Sequence, residues 1–169
     1  MLGANMPSTV TNEARAAIDA EYAFLCARLG LTPVPLDVFI CNDEAHESEE
    51  TALGSCIGDC RARYGRTPRL LALPLCDGDL EPMSVLPPER WVKHDDVEWP
   101  TWRLELWHEV IHQHSDQVAN AWDPNEPAIR RPDGKLTSEG HGTGWWDAVV
   151  AVAREFGVDS VSLSEIVDR

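Results

Sequence analysis

Trp107-His108-Glu109-Val110-Ile111-His112 is the stretch on which the fold and the chemistry of this chain depend. Apolar residues recur around it at helical spacing, so the sequence predicts an α-helix. Positions i and i+4 of a helix lie one above the other, roughly 6 Å apart, so His108 and His112 can reach one metal ion. Each residue turns the helix by about 100°, which leaves Glu109 beside that ion. A carboxylate there can accept a proton from a bound water.

Two histidines on a helix can also belong to a solvated face. The helix around them is apolar over much of its circumference, through Leu104, Leu106, Trp107, Val110 and Ile111. We therefore predict burial, and buried imidazoles need partners. The spacing is the H-E-x-x-H motif, in which the histidines bind zinc and the glutamate is a general base.

A third ligand is predicted from the downstream sequence Glu139-Gly140-His141-Gly142-Thr143-Gly144-Trp145. A catalytic zinc ion takes three protein ligands and keeps a fourth position for water. Glycines on both sides of His141 allow its backbone to approach another element closely. His114, Asp116 and Glu139 are the competing candidates.

A further amphipathic helix is predicted directly after His141. Its apolar residues are spaced at i, i+4, i+7 and i+11, and they are Trp145, Val149, Val152 and Phe156. Gly157 follows as a signal that ends the helix.

Together, the two motifs resemble those of the SprT-like metallopeptidases, which include the Spartan proteases. The motifs are His108-Glu109-Val110-Ile111-His112 and Glu139-Gly140-His141-Gly142-x-x-Trp145. The similarity extends over residues 98–157. It implies a zincin-like domain with Zn²⁺ on His108, His112 and His141, Glu109 as the catalytic base, and a protein or peptide substrate. No Cys-x-x-Cys pair follows the second motif, so the C-terminal zinc ribbon common in that family is not expected.

The charge balance argues against nucleic acid as a partner. The chain has 14 Lys and Arg against 29 Asp and Glu, a formal net charge of −15. Affinity for nucleic acid comes largely from basic side chains on phosphates, so binding would need another protein to supply the contact.

Other sequence features favour a cytoplasmic protein without a membrane span. No apolar run reaches the length of about 18 residues that a membrane-spanning helix needs. Met1–Pro7 lacks the basic and apolar regions of a signal peptide. The five cysteines are scattered and odd in number, which favours reduced thiols in the cytoplasm.

We predict one α+β domain over residues 1–169, with a zincin-like architecture. An N-terminal helix capped by Ser8 and ended by Gly30 would bury the stripe Ala14, Ile18, Tyr22, Leu25 and Leu29. A small, mostly antiparallel sheet of three or four strands would follow. Its strands are predicted in residues 33–41, 52–64 and 69–75, with a connection at 77–97.

The predicted sheet leads to the H-E-x-x-H helix and then to the helix after His141. Ser162-Leu163-Ser164-Glu165 has capping-box spacing and predicts the start of a short last helix.

Residues 117–140 are predicted to form a long loop, because proline and Asp-Gly signals interrupt any helix there. We interpret this loop as a lid or substrate wall with Trp122 as a contact; a plain surface excursion is the alternative. Trp145 would pack against the H-E-x-x-H helix or contact substrate. Asp147 would hydrogen-bond a ligand histidine or simply be an acidic residue in the first helical turn.

The predicted function is hydrolysis of peptide bonds by zinc-activated water, with Glu109 as general base. Two alternatives stay open: a non-catalytic zinc-binding or partner-binding domain, and a metal-dependent hydrolase of a non-protein substrate. No oxyanion-stabilising residue can be assigned; Tyr64, His94 and His114 are candidates by chemistry alone.

Overall fold

The computed structural model of the chain describes residues 12–40, 71–75, 101–121, 123 and 125–168. These residues form four helices and two short strands, in the order α1 (Asn12–Leu29), β1 (Leu36–Ile40), β2 (Leu71–Leu75), α2 (Thr101–Gln117), α3 (Thr143–Phe156) and α4 (Ser160–Val167). The predicted cap at Ser8, the weaker strands in 52–64 and the connection at 77–97 lie outside the described residues.

The two strands correct the predicted fold class. β1 and β2 pair in parallel, with Leu36 opposite Leu71 and Ile40 opposite Leu75. The prediction of a small, mostly antiparallel sheet of three or four strands is therefore wrong, since the described part is mostly helical with one parallel strand pair. Alternating apolar residues indicate a strand, but they carry no information about the direction of its partner.

Helix α2 lies at the centre of the packing. It contacts each of the other three helices and β2. Its side chains Trp102, Leu106, Trp107, Val110 and Ile111 are buried in a hydrophobic core that also includes residues of α1, α3 and α4. The predicted burial of the H-E-x-x-H helix is confirmed, as is the buried stripe of α1 from Ala14 to Leu25.

A buried ion pair joins α2 to α1. Glu21 accepts hydrogen bonds from Arg103 Nε at 2.8 Å and from Trp107 Nε1 at 3.3 Å. The side chains of Glu21 and Arg103 are each only 1% exposed. Burial raises the pKa of Glu21 to about 7, although Arg103 and Trp107 oppose the rise. This contact fixes the start of α2 on the side away from the histidines.

The far end of α2 is fixed by neutral hydrogen bonds. Tyr22 donates to Gln113 Oε1 at 2.9 Å, and Gln113 and Gln117 both donate to the carbonyl of Thr32. The backbone N–H of Val34 donates in turn to the Tyr22 hydroxyl. The chain between α1 and β1 is thereby held against α2.

The helix ends combine confirmed and corrected predictions. Gly157 ends α3 in the left-handed conformation, at φ 68°, as its position after the apolar repeat predicts. The last helix starts earlier than predicted: Asp159 is its N-cap, and the Asp159 side chain accepts a hydrogen bond from the backbone N–H of Ser162. The predicted short last helix is present, but its predicted start at Ser162 is wrong, because Asp159, directly before Ser160, caps the helix three residues earlier.

Candidate metal centre

Helix α2 places His108 and His112 on one face, toward α3. Their ring centroids lie 4.9 Å apart in an edge-on arrangement. Both are half-buried, while Val110 and Ile111 between them and Trp107 before them are buried in the core. The regular backbone of the helix therefore sets their spacing.

His141 meets this pair from the turn immediately before α3. Its ring centroid lies 4.8 Å from that of His108 and 5.0 Å from that of His112. Ligand atoms of the three imidazoles all lie within 4.8 Å of one another, so together they could hold a metal ion. Within the described ranges, no other group of three such side chains is found. His114, Asp116 and Glu139 do not belong to the cluster.

The hydrogen bonds of His108 and His141 define which ring nitrogen faces the cluster. His108 Nδ1 lies 2.7 Å from the carbonyl oxygen of Val167, and a carbonyl only accepts, so Nδ1 carries the proton. His141 Nδ1 lies 2.5 Å from Asp168 Oδ1. Burial opposes ionisation of Asp168, but hydrogen bonds from His141 and Ser138 lower its pKa, so this oxygen is an acceptor too. In the neutral form of each ring, the lone pair is therefore on Nε2.

Burial favours the neutral form of His108 and His112. It lowers the pKa of His108, an effect that the hydrogen bond to Val167 partly offsets. The pKa of His112 is held well below its usual range by burial and then by the charges of His108 and His141. Metal ions bind the neutral form of histidine, so burial prepares these side chains for coordination.

One of the distances in the cluster fits a zinc-sized ion. His141 Nε2 and His112 Nε2 are 3.3 Å apart. Two nitrogens at the usual ~2.0–2.1 Å from a tetrahedral zinc ion are separated by about 3.3 Å. Imidazole donors suit zinc and its transition-metal neighbours better than calcium or magnesium, which prefer oxygen. The donor set and the spacing are therefore compatible with Zn²⁺.

Trp145, on the first turn of α3, packs against all three histidines. Its ring stacks on His141 at a centroid distance of 4.0 Å and an interplanar angle of 15°. Its ring centroid is also 4.9 Å from that of His108 and 4.6 Å from that of His112. This buried indole excludes water from one side of the cluster and limits rotation of the His141 ring.

The turn that carries His141 is held by Glu126, which the sequence did not single out. Its carboxylate accepts hydrogen bonds from the backbone N–H groups of Gly142 at 3.0 Å, Gly144 at 2.6 Å and Trp145 at 3.4 Å. Its own carbonyl accepts from Gly140 at 2.8 Å. Glu126 thus caps the N-terminus of α3 from outside the helix, where a negative charge is favoured.

The glycines beside His141 make room for this cap. A Cβ atom on Gly142 would lie 2.6 Å from the carbonyl oxygen of Pro127 and would also collide with the Glu126 side chain. A Cβ atom on Gly144 would lie 2.7 Å from the carbonyl oxygen of Ala121. The predicted close approach is confirmed at Gly142, and the approaching element is the segment before it.

Residues 125–140 are docked on α4 as well. Arg131 is buried; it donates to Asp133 within the segment and to Ser164 Oγ and Glu165 Oε1 on α4. An isolated antiparallel bridge joins Arg130 to Leu136. The described part of the predicted loop is therefore hydrogen-bonded to the helix whose end contacts His108 and His141. Whether it acts as a lid stays a prediction.

Glu109 follows His108 on α2 and is not part of the ligand cluster. Burial raises the pKa of its carboxyl group to about 7, and the charge of His141 opposes the rise. The charge of His141 thus affects Glu109, although Glu109 does not belong to the three-histidine cluster.

The remaining predicted residues have different outcomes. Asp147 is exposed on α3, and the carboxylate that contacts a ligand histidine is Asp168. Trp122, Tyr64 and His94 lie outside the described residues. His114 is buried, which lowers its pKa. No local sequence pattern indicates Asp168, because its role arises from contact with His141, which is far away in the sequence.

No helix in the described part of the chain combines the length and apolar character required to cross a bilayer. Comparison with known proteins finds no matching family model, no matching curated protein and no matching solved structure.

Proposed function

We propose that this chain is a zinc-dependent peptidase in which His108, His112 and His141 bind the metal and Glu109 is the general base. The convergence of three imidazoles from two separate segments carries this proposal. The H-E-x-x-H order adds Glu109, because a site that only stabilised the fold would need no carboxylate between its two helical ligands.

Zinc held by these residues would acidify a water molecule and polarise a substrate carbonyl. Glu109 would accept the proton from the attacking water and later deliver it to the leaving amine. His108 and His141 would be kept in the orientation required for binding by Val167 and Asp168. Trp145 would shield the ligand histidines from bulk water on the α3 side.

The choice of a peptide bond as substrate is supported by the resemblance of the two histidine motifs to SprT-like metallopeptidases. The net charge of −15 suits a basic protein or peptide better than nucleic acid. A metal-dependent hydrolase with another substrate and a non-catalytic zinc domain are the outcomes that the experiment must distinguish.

The decisive variant is Glu109→Gln. It should retain stoichiometric zinc by elemental analysis, because Glu109 lies outside the ligand cluster. Its rate on a cleavable member of an unbiased peptide library should fall by roughly 10²- to 10⁴-fold, as expected for loss of a general base. Glu139→Gln is the matched control, since Glu139 is an exposed carboxylate close to His141 in sequence.

Three results would count against the proposal. Full activity of Glu109→Gln would show that Glu109 is not the base. A wild-type protein that binds zinc and cleaves no peptide would indicate a binding domain or another substrate class. Unaltered zinc occupancy in His141→Ala would overturn the ligand assignment.

A further inference from the structure

Helix α4 ends against the ligand histidines. Its last residue, Val167, accepts the Nδ1 hydrogen bond of His108 at 2.7 Å. The next residue, Asp168, accepts that of His141 at 2.5 Å. Two consecutive residues at the end of a short helix thus contact histidines from two different parts of the chain.

Asp168 is itself held in position by two further hydrogen bonds. Its backbone N–H donates to the carbonyl of Ser164 at 2.8 Å, which continues the α4 hydrogen-bond pattern. Its second carboxylate oxygen, Oδ2, accepts from the backbone N–H of Ser138 at 3.2 Å. The side chains of His141 and Asp168 are only 7% and 8% exposed, so solvent cannot easily replace this contact.

The charge of Asp168 has a chemical effect that a neutral acceptor lacks. A carboxylate that receives the Nδ1 proton of an imidazole fixes the tautomer and ring orientation and raises the basicity of the opposite nitrogen. Here the opposite nitrogen is Nε2 of His141, which faces His112 at 3.3 Å. Val167 provides only a backbone carbonyl to His108, so the two contacts are not equivalent.

We propose that Asp168 is the positioning residue of the metal centre, which orients His141 and increases the electron density that its Nε2 offers to the ion. This inference rests on the proposed zinc site. It assigns to the end of α4 a role that neither histidine motif contains. Because binding and docking are linked, zinc should also stabilise the attachment of α4 to the histidines.

The experiment compares zinc affinity in the full chain, by competition with a chromophoric chelator, for wild type, Asp168→Asn and Asp168→Ala. Asparagine keeps the size and an oxygen acceptor but removes the charge. We expect both variants to bind zinc roughly 10- to 100-fold more weakly, the range for lost outer partners of metal-binding histidines. Visible absorption after cobalt substitution should also differ from wild type, because the ligand field at His141 changes.

Asp159→Ala is the control for a general loosening of α4. Asp159 caps the other end of this helix through the N–H of Ser162 and is exposed. Its loss should lower the midpoint of chemical denaturation, as for other N-caps. Zinc affinity and the cobalt spectrum should remain within about twofold of wild type.

The outcomes separate this inference from the proposed function. If wild type fails to bind zinc, the proposed function itself is overturned. If wild type binds tightly and Asp168→Asn matches it in affinity and cobalt spectrum, the metal site stands and the role of Asp168 is refuted. If Asp159→Ala weakens zinc binding as much as Asp168→Asn does, the effect comes from α4 docking and the positioning role is again refuted.

Discussion

The two sides of the candidate metal centre are built by different means. On the α2 side, His108 and His112 are one helical turn apart, and the backbone of a single buried helix sets their geometry. On the other side, His141 precedes its helix and is positioned by Glu126 and Asp168, which lie 15 residues before it and 27 residues after it.

This difference predicts that substitutions of residues other than the three histidines disturb the position of His141 more than that of His108 and His112. Regular helical hydrogen bonds preserve the α2 pair as long as α2 itself forms. The position of His141 depends on a few long-range hydrogen bonds, each of which one side chain can remove. Changes around His141 should therefore affect zinc binding, whereas changes on the core side of α2 should affect only stability.

The largest effect on stability is expected for Glu126→Ala. It would leave three backbone N–H groups of buried residues without their acceptor, at a cost of about 3 kcal/mol in the free energy of unfolding. Zinc affinity should fall as well, because the turn carrying His141 is released. Chemical denaturation and chelator competition measure the two quantities.

Asp123→Ala is the control for Glu126→Ala. Asp123 is an exposed acid in the same segment and accepts one local hydrogen bond from Asn125. It should change stability by less than about 1 kcal/mol and leave zinc affinity unaltered. Equal effects of the two variants would contradict the assignment of Glu126 as the cap of α3.

A smaller effect is expected for Gly142→Ala. The new methyl group would collide with Glu126 and with the carbonyl of Pro127, which should cost about 2 kcal/mol and displace His141. Gly134→Ala is the matched control: its surroundings are open, but its φ of 87° is unfavourable for alanine. That control should lose about 1 kcal/mol and keep the zinc affinity of wild type.

If Gly142→Ala also keeps wild-type zinc affinity, the close packing before α3 does not position His141. The position of His141 would then be less sensitive to substitutions around it than its long-range hydrogen bonds indicate.

The smallest effect is a pH dependence of the free energy of unfolding, which arises from Glu21 on the core side of α2. Burial raises the pKa of Glu21 to about 7, against an ordinary value of 4.5. The folded state therefore binds a proton in this range that the unfolded state has released, so the stabilisation is present at low pH and is lost as pH rises through about 7. Glu21→Gln cannot titrate.

Relative to Glu21→Gln, wild type should lose about 1–2 kcal/mol of stability between roughly pH 5.5 and 7.5. Denaturation of both proteins across this range measures the difference, and Glu109 cancels because it titrates in both. Zinc affinity at fixed pH should be the same in the two proteins. A constant difference in stability across the range would show that Arg103 keeps Glu21 ionised.

Local sequence patterns predicted the helices more successfully than the sheet. The apolar spacing of α2 and α3 predicts both helices, and the glycines beside His141 make it a ligand candidate from the sequence alone. The direction of the β1–β2 pairing was not accessible, because strand periodicity is the same in parallel and antiparallel sheets. The start of α4 was misplaced because two overlapping capping signals compete there.

The sequence by itself determined the pair His108 and His112 with Glu109 between them, because helical periodicity converts spacing along the chain directly into spacing in the structure. Only the tertiary structure decided that His141 completes the set, that Glu126 holds its turn and that Asp168 orients its ring. These contacts join residues far apart in sequence, and their geometry comes from how α2, α3 and α4 pack. No local pattern encodes such packing, since it depends on the whole core at once.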